Sequence, residues 1–294
     1  MPALGVVSSA DGPLSSAAHL ATSGVRETEP LGVGALTSAV QEELVTATHR
    51  TSRAVAARVG AHLTLLNAFE LRCEGRLVPL PSPAQRLLAF LALHDRPVLR
   101  THVAGTLWLE SSQDHAFGSL RSALWRARRC GHELVEATTT QLRLASSVAV
   151  DVRETIAWAR GVLEGSGEPG ITGHLGDLLP DWYDDWVLLE RERVRELRVR
   201  ALEFLCAELT SAGKFHQAIE AGLAAVEDEP LRETAHRSLI AVHLAEGNQA
   251  EAIRRYRMYR ALLQEQLGLE PSSLMGELVR GLGLDDGLGL DDGR

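Results

Sequence analysis

The second half of the 294-residue chain repeats itself. Ala201, Leu205, Ala207, Gly213, Ala218 and Ile219 return 34 residues later as Ala235, Leu239, Ala241, Gly247, Ala252 and Ile253. A repeat of this length, with small and apolar residues at helical spacing on either side of a glycine, encodes a helix–turn–helix unit. One such unit cannot bury its apolar face alone, so neighbouring units must stack. The repeat therefore commits residues beyond about 200 to a layered, all-helical arrangement.

The details match the tetratricopeptide pattern in the first unit, where Gly213, Phe215, Ala218, Ala225 and Pro230 take its small and turn positions. The second unit departs from it, with Tyr259 and Gln264 where a small residue and proline are expected, and reads as a final unit closed by a lengthened helix from Gln249 to Leu267. Upstream, Asp151-Val152-Arg153-Glu154 forms a capping box that starts helix. A loop spans Gly165 to Gly176, and a long helix runs from about Asp184 to Ser211.

Residues 61–150 carry a different pattern. Phe69, Leu71 and Cys73 alternate with Glu70, Arg72 and Glu74 as a half-buried strand does. Gly75 turns it, and Arg76 to Leu80 returns. Ser82-Pro83 starts a helix with serine as cap, and Leu87, Leu88, Leu91 and Leu93 face a core before Pro97 ends it. A second helix spans Leu99 to Trp108 and a third Ser111 to Arg129. Glu133–Ala137 and Gln141–Ala145 flank Thr138-Thr139-Thr140 as a hairpin. Small sheet, three helices and hairpin make a winged helix-turn-helix, in which the third helix reads the major groove and the hairpin is the wing. The expected fold is mainly α with a small β component. It comprises a largely disordered extension at 1–60, a winged helix at 61–150, a tetratricopeptide-like domain at 151–280, and a low-complexity tail at 281–294 built from a tandem Gly-Leu-Gly-Leu-Asp-Asp.

The third helix, S-S-Q-D-H-A-F-G-S-L-R-S-A-L-W-R-A-R-R, is the candidate interface. Ser111 or Ser112 caps it, with Asp114 completing an S-x-x-D box. Phe117, Leu120, Leu124 and Ala127 form its apolar stripe, and the opposite face carries His115, Ser119, Ser122, Arg126 and Arg129, with Trp125 on the shoulder. Arg126 falls mid-face, the place for a bidentate guanine contact, whereas Arg128 lies beside the stripe and reaches a phosphate at most. Charge agrees with this division. Residues 61–150 hold ten arginines against seven acids, a balance of +3, whereas 151–294 carry −11 within a total of −9.

At this point the chain resembles the Streptomyces antibiotic regulatory protein family, whose helical half is called the bacterial transcriptional activation domain. The resemblance covers roughly 62–280 and rests on G-S-L-R-S-A-L-W-R-A-R-R at 118–129, L-L-P-D-W-Y-D-D-W at 178–186, A-E-G-N-Q-A-E-A-I-R-R-Y at 245–256 and L-G-L-E-P at 267–271. It implies a cytoplasmic transcription regulator, often an activator of specialised-metabolite genes, that binds tandem direct repeats in promoter DNA and contacts RNA polymerase. Two protomers would load cooperatively or as a weak homodimer. Its DNA contacts fall on Arg121, Ser122, Trp125, Arg126 and Arg129, joined by Ser119, by Arg100 on the second helix and by Thr140 at the wing turn. The extension at 1–60 and the bulk of Trp125 depart from the family pattern. One lysine against 29 arginines is the usage of a high-GC genome and agrees with an actinobacterial source.

Other functions find little footing. Gly213-Lys214-Phe215 lacks the Ser/Thr of a phosphate-binding loop, so the ATPase of larger family members is not expected here. The histidines at 62, 94, 102, 115, 132 and 174 show no metal-ligand spacing, and Asp177, Asp181, Asp184 and Asp185 lack calcium-loop order and read as a solvated acidic loop beside packed Trp182 and Trp186. Cys73, Cys130 and Cys206 are spaced as isolated buried thiols, with Cys130-Gly131-His132 read as a turn after the third helix. No catalytic pair, cofactor, metal or membrane contact is expected. The rival reading is a helical-repeat adaptor whose winged helix meets protein rather than DNA.

Overall fold

In the computed structural model, which describes residues 60–128, 131–166, 176–280 and Leu282, the chain opens on three short strands. The expectations for the extension before Gly60, for Arg129, Cys130 and His174, and for the rest of the C-terminal tail lie outside these residues. Strands β1 (Ala61–Thr64), β2 (Glu70–Cys73) and β3 (Arg76–Leu77) pair antiparallel in sequence. The β2–β3 turn places Glu74 and Gly75 at φ of 51° and 78°, the left-handed pair a tight hairpin needs. Leu71 and Cys73 point inward, as their alternation predicts.

Helix α1 (Ser82–Ala92) follows Pro81, which is its N-cap, so Ser82 and Pro83 are its first two residues and no side chain caps it. The missing N–H of Pro83 is harmless there, because the first turn has no intrahelical acceptors. Strand β4 (Val98–Leu99) leads into α2 (Arg100–Leu107), and α3 (Gln113–Arg128) follows. The hairpin of β5 (Val135–Ala137) and β6 (Gln141–Leu144) pairs with β4 in the order β4-β6-β5. The short β4, which propensity did not reveal, ties the wing to the start of α2. Strand β7 (Val148–Val150) then lies parallel to β1, closing the first sheet as β3-β2-β1-β7.

The helical half runs through α4 (Asp151–Leu163), α5 (Asp185–Ser211), α6 (Phe215–Asp228), α7 (Glu233–Glu246), α8 (Gln249–Leu267) and α9 (Ser273–Val279). The 34-residue repeat is the pair α5/α6 followed by α7/α8. Gly213 and Gly247 occupy equivalent turns at φ of 70° and 85°, the left-handed positions that end a helix without a Cβ clash. Ala201, Leu205 and Ala218 are buried, and so are Ala235, Leu239 and Ala252. Asn248 caps α8 by accepting from the Glu251 amide, and the helix ends at Leu267 as expected.

The expected boundary at residues 150 and 151 falls inside one continuous core. Leu178, Leu179, Val187 and Val194 pack in the same cluster as Leu63, Leu87 and Leu120. Asp151 is only 2% exposed. Its carboxylate accepts from the amides of Leu65 (2.9 Å), Leu66 (2.9 Å) and Val152 (2.7 Å). The chain just past β1 has two amides turned inward, and this carboxylate is what satisfies them. Arg153 adds hydrogen bonds to the carbonyls of Leu91, Ala92 and His94 at the end of α1. Leu66 bridges to Leu178, Trp182 stacks on Phe69, and Trp186 meets Phe90 edge to face. The acidic segment here is only partly solvated, since Asp184 pairs with Arg86.

Candidate nucleic-acid interface

The third helix meets the core through Ala116, Leu120, Ala123, Leu124 and Ala127, with Phe117 only partly buried. Ala116 and Ala123 belong to the buried stripe although their small size hid them from the hydrophobic pattern. At about 100° per residue, the buried axis that includes them lies roughly 75° from the one that Phe117 defines. The exposed face turns with it. Trp125, 58% exposed, stands at its centre instead of on its shoulder. Arg121 and Ser122 lie beside it, and Arg126 and Arg128 are exposed on opposite flanks. Ser119 falls to the half-buried edge. Gly118 leaves the centre open, and the Arg121 guanidinium lies 3.8 Å from where a Cβ of residue 118 would stand.

The start of α3 is also built differently. The Ser112 hydroxyl lies 2.8 Å from His115 Nδ1, a pairing three residues apart that replaces the expected Ser111–Asp114 box. Asp114 remains in the first turn, where a negative charge suits the helix dipole, and Arg126 and Arg128 occupy the last.

Arg100 is committed to the wing. Its Nε donates to the Thr138 carbonyl at 2.9 Å and its backbone amide donates to the Thr140 carbonyl at 2.9 Å. The Thr138 hydroxyl accepts from the amides of Thr140 and Gln141, which shapes the tip and leaves the Thr140 side chain outward. Within the hairpin Arg143 pairs with Glu136, holding the Glu136 carboxyl below its ordinary range through that hydrogen bond first and the Ser146 amide second. Sequence reasoning placed Arg100 among groups that touch a ligand. Its role as a clamp depends on a contact across 38 residues, which no local pattern reveals.

What distinguishes α3 is charge without internal partners. Among the described residues, Arg121, Arg126 and Arg128 form no ion pair or hydrogen bond through their side chains. In the helical half, Arg195, Arg198, Arg200, Arg232, Arg254, Arg255 and Arg260 are all paired with acids. Three unneutralised guanidinium groups on one exposed helix face, flanked by a wing, form a surface suited to a polyanion. Arg129 lies outside the described residues. No described helix is long and apolar enough to cross a membrane.

Comparison with known proteins places this architecture. Residues 170–282 match the model of the bacterial transcriptional activator domain. Regulatory protein AfsR of Streptomyces coelicolor is 29% identical over 225 residues, covering 70% of this chain and 22% of the relative, so the chain spans about a fifth of AfsR's length. The structure of Mycobacterium tuberculosis EmbR in complex with a low affinity phosphopeptide superposes with a TM-score of 0.58 at 21% identity, over 76% of this chain and 64% of that one. That likeness shows a shared fold. Residues 170–282 thus resemble a bacterial transcriptional activator domain, in a chain similar to a Streptomyces regulatory protein, and together these likenesses support a transcription regulator.

Proposed function

We propose that the chain regulates transcription by binding promoter DNA through α3 and the wing, and that it is not an enzyme. The observation that carries this reading is the set of three arginines clustered on α3 with no partner among the described residues, in a protein that pairs most of its other helical arginines. Arg121, whose guanidinium reaches over Gly118 toward mid-face, takes the base-reading role that the sequence pattern assigned to Arg126. Arg126 and Arg128, on the flanks, hold the phosphates on either side of the groove. Ser119 and Ser122 complete the contacts from the helix, and Thr140 adds one from the wing tip. The helical half, with its acidic balance, faces RNA polymerase, and two protomers occupy tandem direct repeats as a cooperative pair.

The test is fluorescence anisotropy of the full chain on the promoter fragment that neighbours its own gene, compared with scrambled DNA, at two salt concentrations. Arg121→Ala should cost about 1–3 kcal/mol and relax preference at one base pair. Arg128→Ala should weaken all sequences alike and reduce the salt slope by about one. A chain that shows no preference for the promoter fragment would exclude the reading. Trp125 favours one rival, since a large exposed aromatic is also the mark of a protein hot spot. A pull-down partner lost in Trp125→Ala, with DNA affinity unchanged, would establish that adaptor role.

A further inference from the structure

The protein has five tryptophans, and four of them are covered. Trp108, Trp182 and Trp186 pack partly buried against the first core, and Trp158 packs against the helical one. Trp125 differs, standing 58% exposed at the centre of the outward face of α3. Its one polar group, the indole N–H, leaves most of the ring apolar, and such a side chain buries about 150–250 Å² once it is covered.

The charge around the ring narrows what can cover it. From His115 to His132 the chain holds no acidic residue, and the exposed Arg121, Arg126 and Arg128 stand around the indole. Apolar surface ringed by charge of one sign fits a partner that is anionic at its rim and apolar at its centre. In the major groove of DNA the walls are phosphates and the floor is made of hydrogen-bond donors and acceptors. The one apolar group on that floor is the 5-methyl of thymine.

Small residues decide whether the indole reaches the floor. Gly118 lies seven residues before Trp125, two turns back on the same face, and Ser122 lies three before it. A Cβ at residue 118 would meet only the Arg121 guanidinium, at 3.8 Å. The groove is about 12 Å wide and a helix with its side chains about 10–12 Å across, so a face with small residues at its middle can settle deeply. We infer that Trp125 is a specificity-determining residue that reads a thymine methyl, a role that rests on α3 entering the major groove as proposed above. Base preference then has two chemically distinct sources, hydrogen bonds from the Arg121 guanidinium and apolar contact from the Trp125 indole.

The test replaces the thymines of the promoter fragment one at a time by deoxyuridine, which loses the 5-methyl and keeps the base pairing, and follows binding of the full chain by anisotropy. At least one position should lose about fourfold in affinity, the worth of one buried methyl. Trp125→Ala should bind the unmodified fragment more weakly, and deoxyuridine at the same position should then change nothing further. Loss at no position would overturn the inference and leave the indole on the sugar–phosphate backbone, while Arg121→Ala would still relax base preference and keep α3 as the reader. A methyl effect of equal size in both chains would also overturn it, because another group would then touch the methyl. DNA affinity unchanged in Trp125→Ala would assign the indole to a protein partner instead. A chain with no preference for the promoter fragment would remove the DNA reading, and the role of Trp125 with it.

Discussion

Replacing Asp151 by asparagine keeps the shape of the side chain while removing the charge and one of two acceptor oxygens. In the native fold Oδ1 serves the Leu65 and Val152 amides and Oδ2 serves the Leu65 and Leu66 amides, all at 2.7–3.0 Å, with the residue 2% exposed. An asparagine must turn its NH₂ toward at least one of these N–H groups, leaving a buried donor unsatisfied at about 1–3 kcal/mol. The remaining bonds also fall from the charged range, about 1.5–3 kcal/mol, to the neutral one, about 0.5–1.5 kcal/mol. Asp151→Asn should therefore cost about 3 kcal/mol, and Asp151→Ala, which orphans all three amides, more. Against a total of ~5–15 kcal/mol this is a large share. Urea unfolding followed by tryptophan fluorescence is the assay, because Trp182 and Trp186 sit at this junction, packed on Phe69 and Phe90. A loss below about 0.5 kcal/mol for the asparagine variant would refute the view that this carboxylate welds the two halves together.

Three further outcomes follow from buried groups. Arg198, 2% exposed, holds Asp228 with two hydrogen bonds at 2.5 and 2.7 Å and donates to the Gly176 carbonyl, so Arg198→Ala should cost about 3–5 kcal/mol in the same urea titration by stranding a buried carboxylate. Burial pushes the imidazoles of His236 and His243 below their ordinary range, despite the opposing hydrogen bond from His236 to the Pro230 carbonyl. The unfolded chain then binds the more protons below about pH 6.5, so this stability is present above that pH and lost as pH falls; the melting temperature should drop from pH 6.5 toward 5, less so in His236→Gln, and a flat profile would contradict it. Arg100→Ala should loosen the wing and weaken all DNA sequences together without altering base preference, and a changed preference among single-base variants of the promoter fragment would mean that Arg100 touches a base after all.

The order of elements and the repeat were legible in the sequence because each depends on neighbours within a few residues. Leu71 and Cys73 alternate with charged residues, Gly213 and Gly247 mark turns that only a left-handed residue closes cheaply, and Asn248 to Leu267 carries its own cap and stop. The arginines of α3 stood out by their number and by the scarcity of acids around them. What escaped was every feature made by contacts distant in sequence. The pairing of β7 with β1 and the hydrogen bonds from Asp151 to Leu65 join segments some 86 residues apart, and nothing local to either segment announces the other. The orientation of α3 was decided by Ala116 and Ala123, whose burial depends on α1 and α2 packing against them rather than on their own weak hydrophobicity. Hydrophobic patterning weighs side chains by their apolar surface, so it aligned the helix on Phe117. Close packing weighs them by the space they leave, and it placed two alanines inward, Trp125 outward, and Arg121 over the gap at Gly118.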